Sequence, residues 1–137
     1  MGKYKLKTIE MYGEELFAEY SSMNKEMAIE NLKEWLVFDT MRFNRAIEED
    51  MKDMATYHRK RLELYESCLY HLTCKKEYKV KNSKAKTIKL TDDYFFRINM
   101  RHISLMKNTK DFRDRENLAI ELATFGSILY HLINENE

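Results

Sequence analysis

Proline is absent from this 137-residue sequence, and it has only two cysteines and three glycines. Cys68 and Cys74 are six residues apart. If both lie in one helix, their Cα atoms are about 9 Å apart, which is too far for a disulfide. Free thiols are typical of a reducing compartment, so we expect a protein of the bacterial cytosol.

A long apolar run is also missing. No segment approaches the roughly 18 residues that a membrane-spanning helix needs, and the N-terminal Met-Gly-Lys-Tyr lacks the apolar core of a signal peptide. Hydrophobic residues nevertheless make up 44% of the chain and charged residues 34%, which is the composition of a globular protein. We therefore expect one soluble domain over residues 1–137, with no membrane partner.

The motifs of several enzyme classes do not occur. There is no glycine-rich phosphate loop, no Gly-x-Ser-x-Gly elbow and no His-Glu-x-x-His zinc helix. Glu48, Glu49 and Asp50 are adjacent, so on a helix their side chains point in different directions and make a poor acid–base pair. We expect a non-enzymatic protein that uses no cofactor.

Charge is segregated along the chain, although the net charge is only +1. Residues 13–40 carry seven acids and two lysines, a balance of −5. Residues 75–91 carry seven lysines and one glutamate, a balance of +6. A nearly neutral total therefore does not exclude an acidic partner. The seven lysines are Lys75, Lys76, Lys79, Lys81, Lys84, Lys86 and Lys89.

A helical period dominates the middle of the chain. Residues 41–74 contain neither glycine nor proline, and one apolar stripe recurs every three or four residues. At 1.5 Å per residue, this pattern predicts a central helix of roughly 50 Å. A break near Asp39 and Thr40 is as compatible with the sequence as a continuous helix. The stripe consists of Phe43, Ile47, Met51, Met54, His58, Leu62, Tyr65, Leu69 and Leu72.

Two more helices are predicted towards the C-terminus. Residues 94–106 fit both the alternation of a strand and one face of a helix, and we prefer helix because Thr91 and two acids precede them as a helix start would. Residues 111–134 carry a wide apolar face that must be buried against the long helix or against a second copy, so we expect a homodimer. One seam of that face is Leu118, Leu122, Phe125, Leu129 and Leu132.

Two segments alternate in polarity, as half-buried strands do. Residues 3–9 predict an N-terminal strand. Residues 77–91 predict a β-hairpin, with Tyr78 and Val80 in one strand and Ile88 and Leu90 in the other. The sequence therefore predicts an α+β fold, predominantly α, in which a long central helix is joined by an N-terminal strand, a Lys-rich β-hairpin and two C-terminal helices.

The Lys-rich hairpin is the segment that most suggests a function. Its lysines would project outwards, and a twisted two-stranded ribbon can lie along a phosphate backbone or enter a major groove. We therefore predict that the seven lysines bind nucleic acid or a ribonucleoprotein. The open alternative is an edge hairpin in which lysine only maintains solubility.

Cys68, His71 and Cys74 place three metal-ligating residue types within seven positions. On a helix they would spread over roughly 120° of the surface, and a histidine from elsewhere would have to complete a tetrahedral zinc site. Cys68 also continues the apolar face of the long helix. Buried packing is therefore the preferred interpretation, and a zinc site is the alternative.

The segment Arg97-Ile-Asn-Met-Arg-His102 has an Arg-x4-His spacing. It resembles the ribonuclease motif of the HEPN family, although Ile98 stands where that motif usually has Asn, His or Asp. The resemblance covers six residues. It implies a helical domain whose dimer brings Arg97 and His102 together to cleave RNA.

A bias towards lysine, tyrosine and asparagine without proline is typical of small accessory proteins of AT-rich bacteria and their phages. Together with the basic hairpin, this composition predicts a phage or mobile-element inhibitor or regulator of host machinery, of the anti-defence kind that includes anti-CRISPR proteins. The alternatives are a HEPN-like ribonuclease and a homodimer that binds only protein.

Overall fold

The computed structural model describes residues 6–78, 82–108 and 112–134. Within these ranges the chain forms five helices and no strand. The prediction of an α+β fold is therefore wrong, and the protein has a predominantly helical, all-α fold. The helices are α1 (Lys7–Tyr20), α2 (Lys25–Glu48), α3 (Lys52–Thr73), α4 (Lys84–Asn108) and α5 (Phe112–Asn134).

The helices pack around one apolar core. α2 and α3 form a helical hairpin with a three-residue connection, α4 packs against α5, and α5 also contacts α2 and α3. α1 lies against α4 and α5. The core draws side chains from all five helices; its fully buried members include Phe17, Leu32, Leu69, Ile88, Phe95, Ile98, Phe125 and Leu129.

The predicted N-terminal strand is wrong where the structure describes it, because Lys7 begins α1; residues 3–5 lie outside the described ranges. The first turn of α1 is capped by Asp92 of α4. Its carboxylate accepts the backbone N–H groups of Lys7 and Thr8 at 2.8 and 3.1 Å and also the Thr8 hydroxyl. Because this cap lies 84 residues away, no local pattern reveals the helix start.

The long central helix is in fact two helices. α2 continues through Asp39 to Glu48, and the chain then turns back at Glu49–Met51. Met51 N–H bonds the Ala46 carbonyl at 2.8 Å and Asp50 N–H bonds the Ile47 carbonyl at 3.1 Å, which together form a Schellman motif. Asp50 takes the left-handed conformation that this motif requires, with φ of 53°. Of the two alternatives at Asp39 and Thr40, the structure therefore has the continuous helix.

The predicted β-hairpin is wrong as well, because the residues of its predicted second strand form the first turns of α4 instead. Ser83 caps this helix: its hydroxyl accepts the Lys86 N–H at 3.2 Å. Thr87 and Thr91 are buried, and each donates its hydroxyl to the carbonyl four residues earlier. Burial and these internal bonds let β-branched residues remain helical despite their alternating pattern.

The other two helical predictions are confirmed. Residues 94–106 lie within α4, and α5 covers the predicted 111–134 almost completely. The five residues of its predicted seam are all buried, with at most 8% of any of them exposed. The start differs in α4: Thr91 is an internal helical residue and not an N-cap.

Candidate functional site

The lysines predicted to lie on one ribbon are distributed over a turn and a helix. Lys75 and Lys76 are exposed just after α3. Lys84, Lys86 and Lys89 occupy the first turns of α4, whereas Lys79 and Lys81 lie outside the described residues. Among the described lysines of this segment, Lys86 is the one that lines one of the two cavities described below.

That cavity is a groove between α3 and α4, which we call the basic groove. Its volume is about 360 Å³. Four of its lining side chains are cationic and one is anionic, and two tyrosines contribute aromatic rings. The lining residues are Tyr57, Lys60, Arg61, Glu63, Leu64, Asn82, Lys86, Leu90, Tyr94 and Arg97.

Helical spacing brings these side chains together. On α4, positions 86, 90, 94 and 97 follow one another at steps of four, four and three, so they share one face. On α3, positions 57, 60, 61 and 64 form the opposite wall. Asn82, which precedes α4, also lines the groove, and its carbonyl oxygen lies 2.9 Å from Nε2 of His71.

Arg61 is the best-anchored cation of the basic groove. Its Nε donates to Asp39 Oδ2 at 2.9 Å, and its two terminal nitrogens donate to the hydroxyls of Tyr57 at 2.9 Å and Tyr65 at 2.6 Å. The guanidinium carbon lies 5.4 to 5.9 Å from the ring centres of Tyr57, Tyr65 and Tyr94. These cation–π contacts add to the hydrogen bonds in holding the side chain in one position.

Asp39 is the buried counter-ion of this cluster, with 1% of its surface exposed. Besides Arg61, it accepts a bond from Arg42 at 3.1 Å, and His58 Nδ1 lies 3.3 Å from its Oδ1. Burial disfavours the charged carboxylate, but the hydrogen bonds and charges of Arg61 and Arg42 outweigh burial and lower the pKa of Asp39 below its ordinary value. The carboxylate is therefore ionised at neutral pH.

Tyr65 and Tyr94 remain neutral at physiological pH. Burial raises the pKa of both well above the ordinary value of a phenol; Tyr94 adds to the rise at Tyr65, and the Glu121 carboxylate adds to the rise at Tyr94. Tyr94 donates its hydroxyl to Glu121 of α5 at 3.3 Å. The groove thus combines four cationic side chains with aromatic surface, and its Tyr94 is neutral.

A second cavity lies on the other side of Arg61, between α2, α4 and α5. Its volume is about 740 Å³. It combines three arginines with two glutamates, two amides and an aromatic wall. The lining residues are Asn31, Glu34, Trp35, Phe38, Arg42, Arg61, Arg101, Asn117, Leu118, Ile120 and Glu121.

Arg97 and His102, the pair that resembles the HEPN motif, both lie on α4. Arg97 is exposed and its guanidinium carbon lies 5.9 Å from the Tyr94 ring centre. His102 is half-buried, and its Nδ1 is enclosed without a hydrogen-bond partner among the described residues. Five residues of helix separate the two side chains by about 140° around the axis, so they do not converge within one chain.

The three residues of the alternative metal site have separate environments. Cys68 is fully buried with its Sγ 3.3 Å from the Thr91 hydroxyl, and burial raises the pKa of its thiol to about 12. His71 is bound to Asn82, and Cys74 is exposed at the end of α3. In the part of the chain that the structure describes, no three His, Cys, Asp or Glu side chains are grouped to hold a metal ion.

Sequence analysis missed the residues that organise the site. Asp39 was interpreted as a possible helix break, and Arg61 and Tyr94 were not assigned to any site. The available signal was a carboxylate on the same side of α2 as the buried Leu32, which implies a cationic partner. Its partner is 22 residues away on α3, so that partner could not be named from spacing.

The chain matches no protein-family model, no curated protein and no solved structure. Among the described helices, none is both long and apolar enough to cross a membrane.

Proposed function

We propose that this protein binds nucleic acid, free or within a ribonucleoprotein, through the basic groove, and that it does so without catalysis. The observation that carries the proposal is the composition of the groove, which is lined by four cations, one carboxylate and two tyrosine rings. Phosphate groups are attracted by the cations, and aromatic rings offer surfaces on which bases stack. The same residues would repel a cationic partner and would give a purely apolar partner little surface to pack against.

The anchoring of Arg61 supports a binding role for this groove. A side chain held by three hydrogen bonds loses little conformational freedom when a ligand arrives, whereas a free surface lysine loses much more. Lys60, Lys86 and Arg97 line the same groove and are exposed. The groove therefore presents one fixed cation and three adaptable ones to a polyanion.

Two features of the sequence analysis remain predictions. The role of an inhibitor or regulator of host machinery follows from composition, and the groove does not depend on it. The predicted homodimer is likewise not required here, because α3, α4 and the turn between them supply every lining residue from one chain.

The test is fluorescence anisotropy with labelled RNA and DNA of about twelve nucleotides, at several salt concentrations. If all four cations contact phosphates, log K should fall against log salt with a slope of roughly −3 to −4. Lys86→Glu combined with Arg97→Glu should weaken binding at least tenfold and reduce that slope by about 1.5. These side chains are exposed, so the fold should persist.

The matched control reverses one lysine and one arginine outside the groove. Lys52→Glu combined with Arg59→Glu makes the same change of net charge on exposed residues of α3 that line neither cavity. This control should keep most of the affinity. Equal losses in the two double variants would show that net charge, and not the groove, governs binding, and the proposal would be wrong.

The same labelled RNA distinguishes the ribonuclease alternative. We expect it to be recovered at full length after incubation with the protein. Cleavage that disappears in a folded His102→Ala variant would instead support the HEPN-like interpretation, because a general acid or base would then have been removed.

A further inference from the structure

Residues that line the basic groove and the second cavity follow one another along one face of α4. Lys86, Leu90, Tyr94, Arg97 and Arg101 follow one another at steps of four, four, three and four residues. The first four line the basic groove and Arg101 lines the second cavity. At 1.5 Å per residue this stripe, which we call the α4 stripe, is about 22 Å long.

Arg61 is the point where the two cavities meet, because it lines both. A guanidinium has five N–H donors. Three of them are used by Asp39, Tyr57 and Tyr65, and the other two have no partner among the described residues. A phosphate placed beside Arg61 can therefore be bound without breaking the contacts that hold this side chain.

The second cavity attracts phosphate less than the basic groove does, because Glu34 and Glu121 offset two of its three arginines. Carboxylates also accept hydrogen bonds from the amino groups of bases. Asn31 and Asn117 add amides, which both donate and accept. Trp35 and Phe38 form the aromatic wall, and Phe38 is 45% exposed although it is a large apolar side chain.

We infer that the ligand is a single strand that follows the α4 stripe from the basic groove across Arg61 and places a base in the second cavity against Phe38 and Trp35. This inference rests on the proposed function and deepens it. A duplex keeps its bases stacked inside and paired, so it offers no base face to the aromatic wall. The stripe spans about six or seven nucleotides of a stacked strand, taking 3.4 Å per base, and fewer if the strand is extended.

The chain contains its own reporter for this inference. Trp35 is the only tryptophan, it lines the second cavity, and its ring stacks on Phe125 with centroids 5.8 Å apart. A base that enters the cavity should quench Trp35 fluorescence. Binding confined to the basic groove should leave that fluorescence nearly unchanged.

The experiment titrates the protein with single-stranded oligonucleotides of increasing length and with a duplex of matched sequence, recording anisotropy of the labelled ligand and Trp35 fluorescence in parallel. We expect dinucleotides to bind weakly without quenching. Strands of about six nucleotides or more should quench strongly, and the duplex should quench little.

Two variants with matched controls test the path of the strand. Phe38→Ala should weaken long strands roughly five- to hundredfold, as removal of a stacking ring does. The neighbouring Val37→Ala, which is 59% exposed and does not line the cavity, should not. Arg101→Glu should weaken long strands while leaving dinucleotide binding unchanged, and Arg59→Glu, outside both cavities, should affect neither length.

The readouts separate failure of this inference from failure of the proposed function. Anisotropy binding that depends on Lys86 and Arg97 but never quenches Trp35 would overturn the second-cavity path and leave the proposed function standing. Equal binding and quenching by the duplex would overturn the single-strand assignment. Absence of any binding in anisotropy would overturn both.

Discussion

The two halves of the central apolar stripe have the same helical period, but one half is buried and the other is exposed. In the second half of α3, Tyr65, Leu69 and Leu72 are at most 8% exposed. Around the turn between α2 and α3, which we call the elbow, Ile47 and Met51 are 58% and 47% exposed. A period of 3.6 therefore identifies a face of a helix, but it does not determine whether anything packs against that face.

The difference follows from where the other helices lie. α4 and α5 contact the second half of α3, and they supply the buried partners of its stripe. At the elbow, α2 and α3 pack chiefly against each other, and the residues buried there are the small Ala46 and Ala55. Small side chains allow two helices to approach closely, and the larger apolar side chains then remain at the surface.

The largest expected effect comes from truncating the buried half. Leu69→Ala should lower the free energy of unfolding by about 3–5 kcal/mol, because a fully buried leucine leaves a cavity when it is shortened. Met54→Ala, on the exposed half of the same stripe, should change it by less than about 0.5 kcal/mol. Urea denaturation of both variants measures the contrast, and similar losses would mean that the elbow is buried in solution.

The next effect concerns the boundary between the two halves, where Asp39 and Arg61 pair. Asp39→Asn should lower the free energy of unfolding by roughly 3 kcal/mol at pH 7, since it removes the charge that a partly buried arginine requires. The pKa of Asp39 is lower in the folded protein than its ordinary value of 3.8. As pH falls through this range, the unfolded chain therefore binds more protons than the folded protein does.

The sign of the pH dependence follows from that lowered pKa. The contribution of the carboxylate is fully present above the unfolded pKa of 3.8 and is lost as pH falls through the lower folded pKa. The stability difference between the wild-type protein and Asp39→Asn should therefore shrink between pH 5 and pH 2. A difference that is constant over this range in urea melts would contradict the ion pair.

The smallest effect tests the elbow turn itself. Asp50 has φ of 53°, a conformation that costs a β-branched residue about 1–2 kcal/mol. Asp50→Val should therefore lower the melting temperature, whereas Asp50→Gly should not, because glycine adopts this conformation without strain. The control Thr56→Val, at an exposed helical position of α3, should have little effect. Equal behaviour of the valine and glycine variants at position 50 would show that the turn is not under this constraint.

The sequence predicted a helix correctly where a long apolar face lies within one segment. The seam from Leu118 to Leu132 is apolar over four turns, so α5 and its buried face were predicted correctly. The second half of the central stripe was likewise predicted to be helical, although its burial depends on α4 and α5. In both cases the helical period extends over enough residues to outweigh local ambiguity.

Elements whose conformation depends on a residue distant in sequence could not be predicted from the sequence. The start of α1 depends on Asp92 of α4, and the helical state of Thr87 and Thr91 depends on their burial in the core. The elbow depends on Asp50, one of three consecutive acids that are equally typical of a helix start. An alternating pattern of lysines and β-branched residues cannot by itself choose between strand and helix.

The candidate site divides in the same way. The sequence by itself determined that the cations of residues 75–91 are concentrated, and Lys86 is the one among those that the structure describes that lines the groove. Only the tertiary structure decided that Arg61, Tyr57 and Tyr94 meet beside it, and that Asp39 anchors Arg61 from another helix. The physical reason is that charge density is a property of the local chain, whereas a groove exists only where two helices distant in sequence are packed side by side.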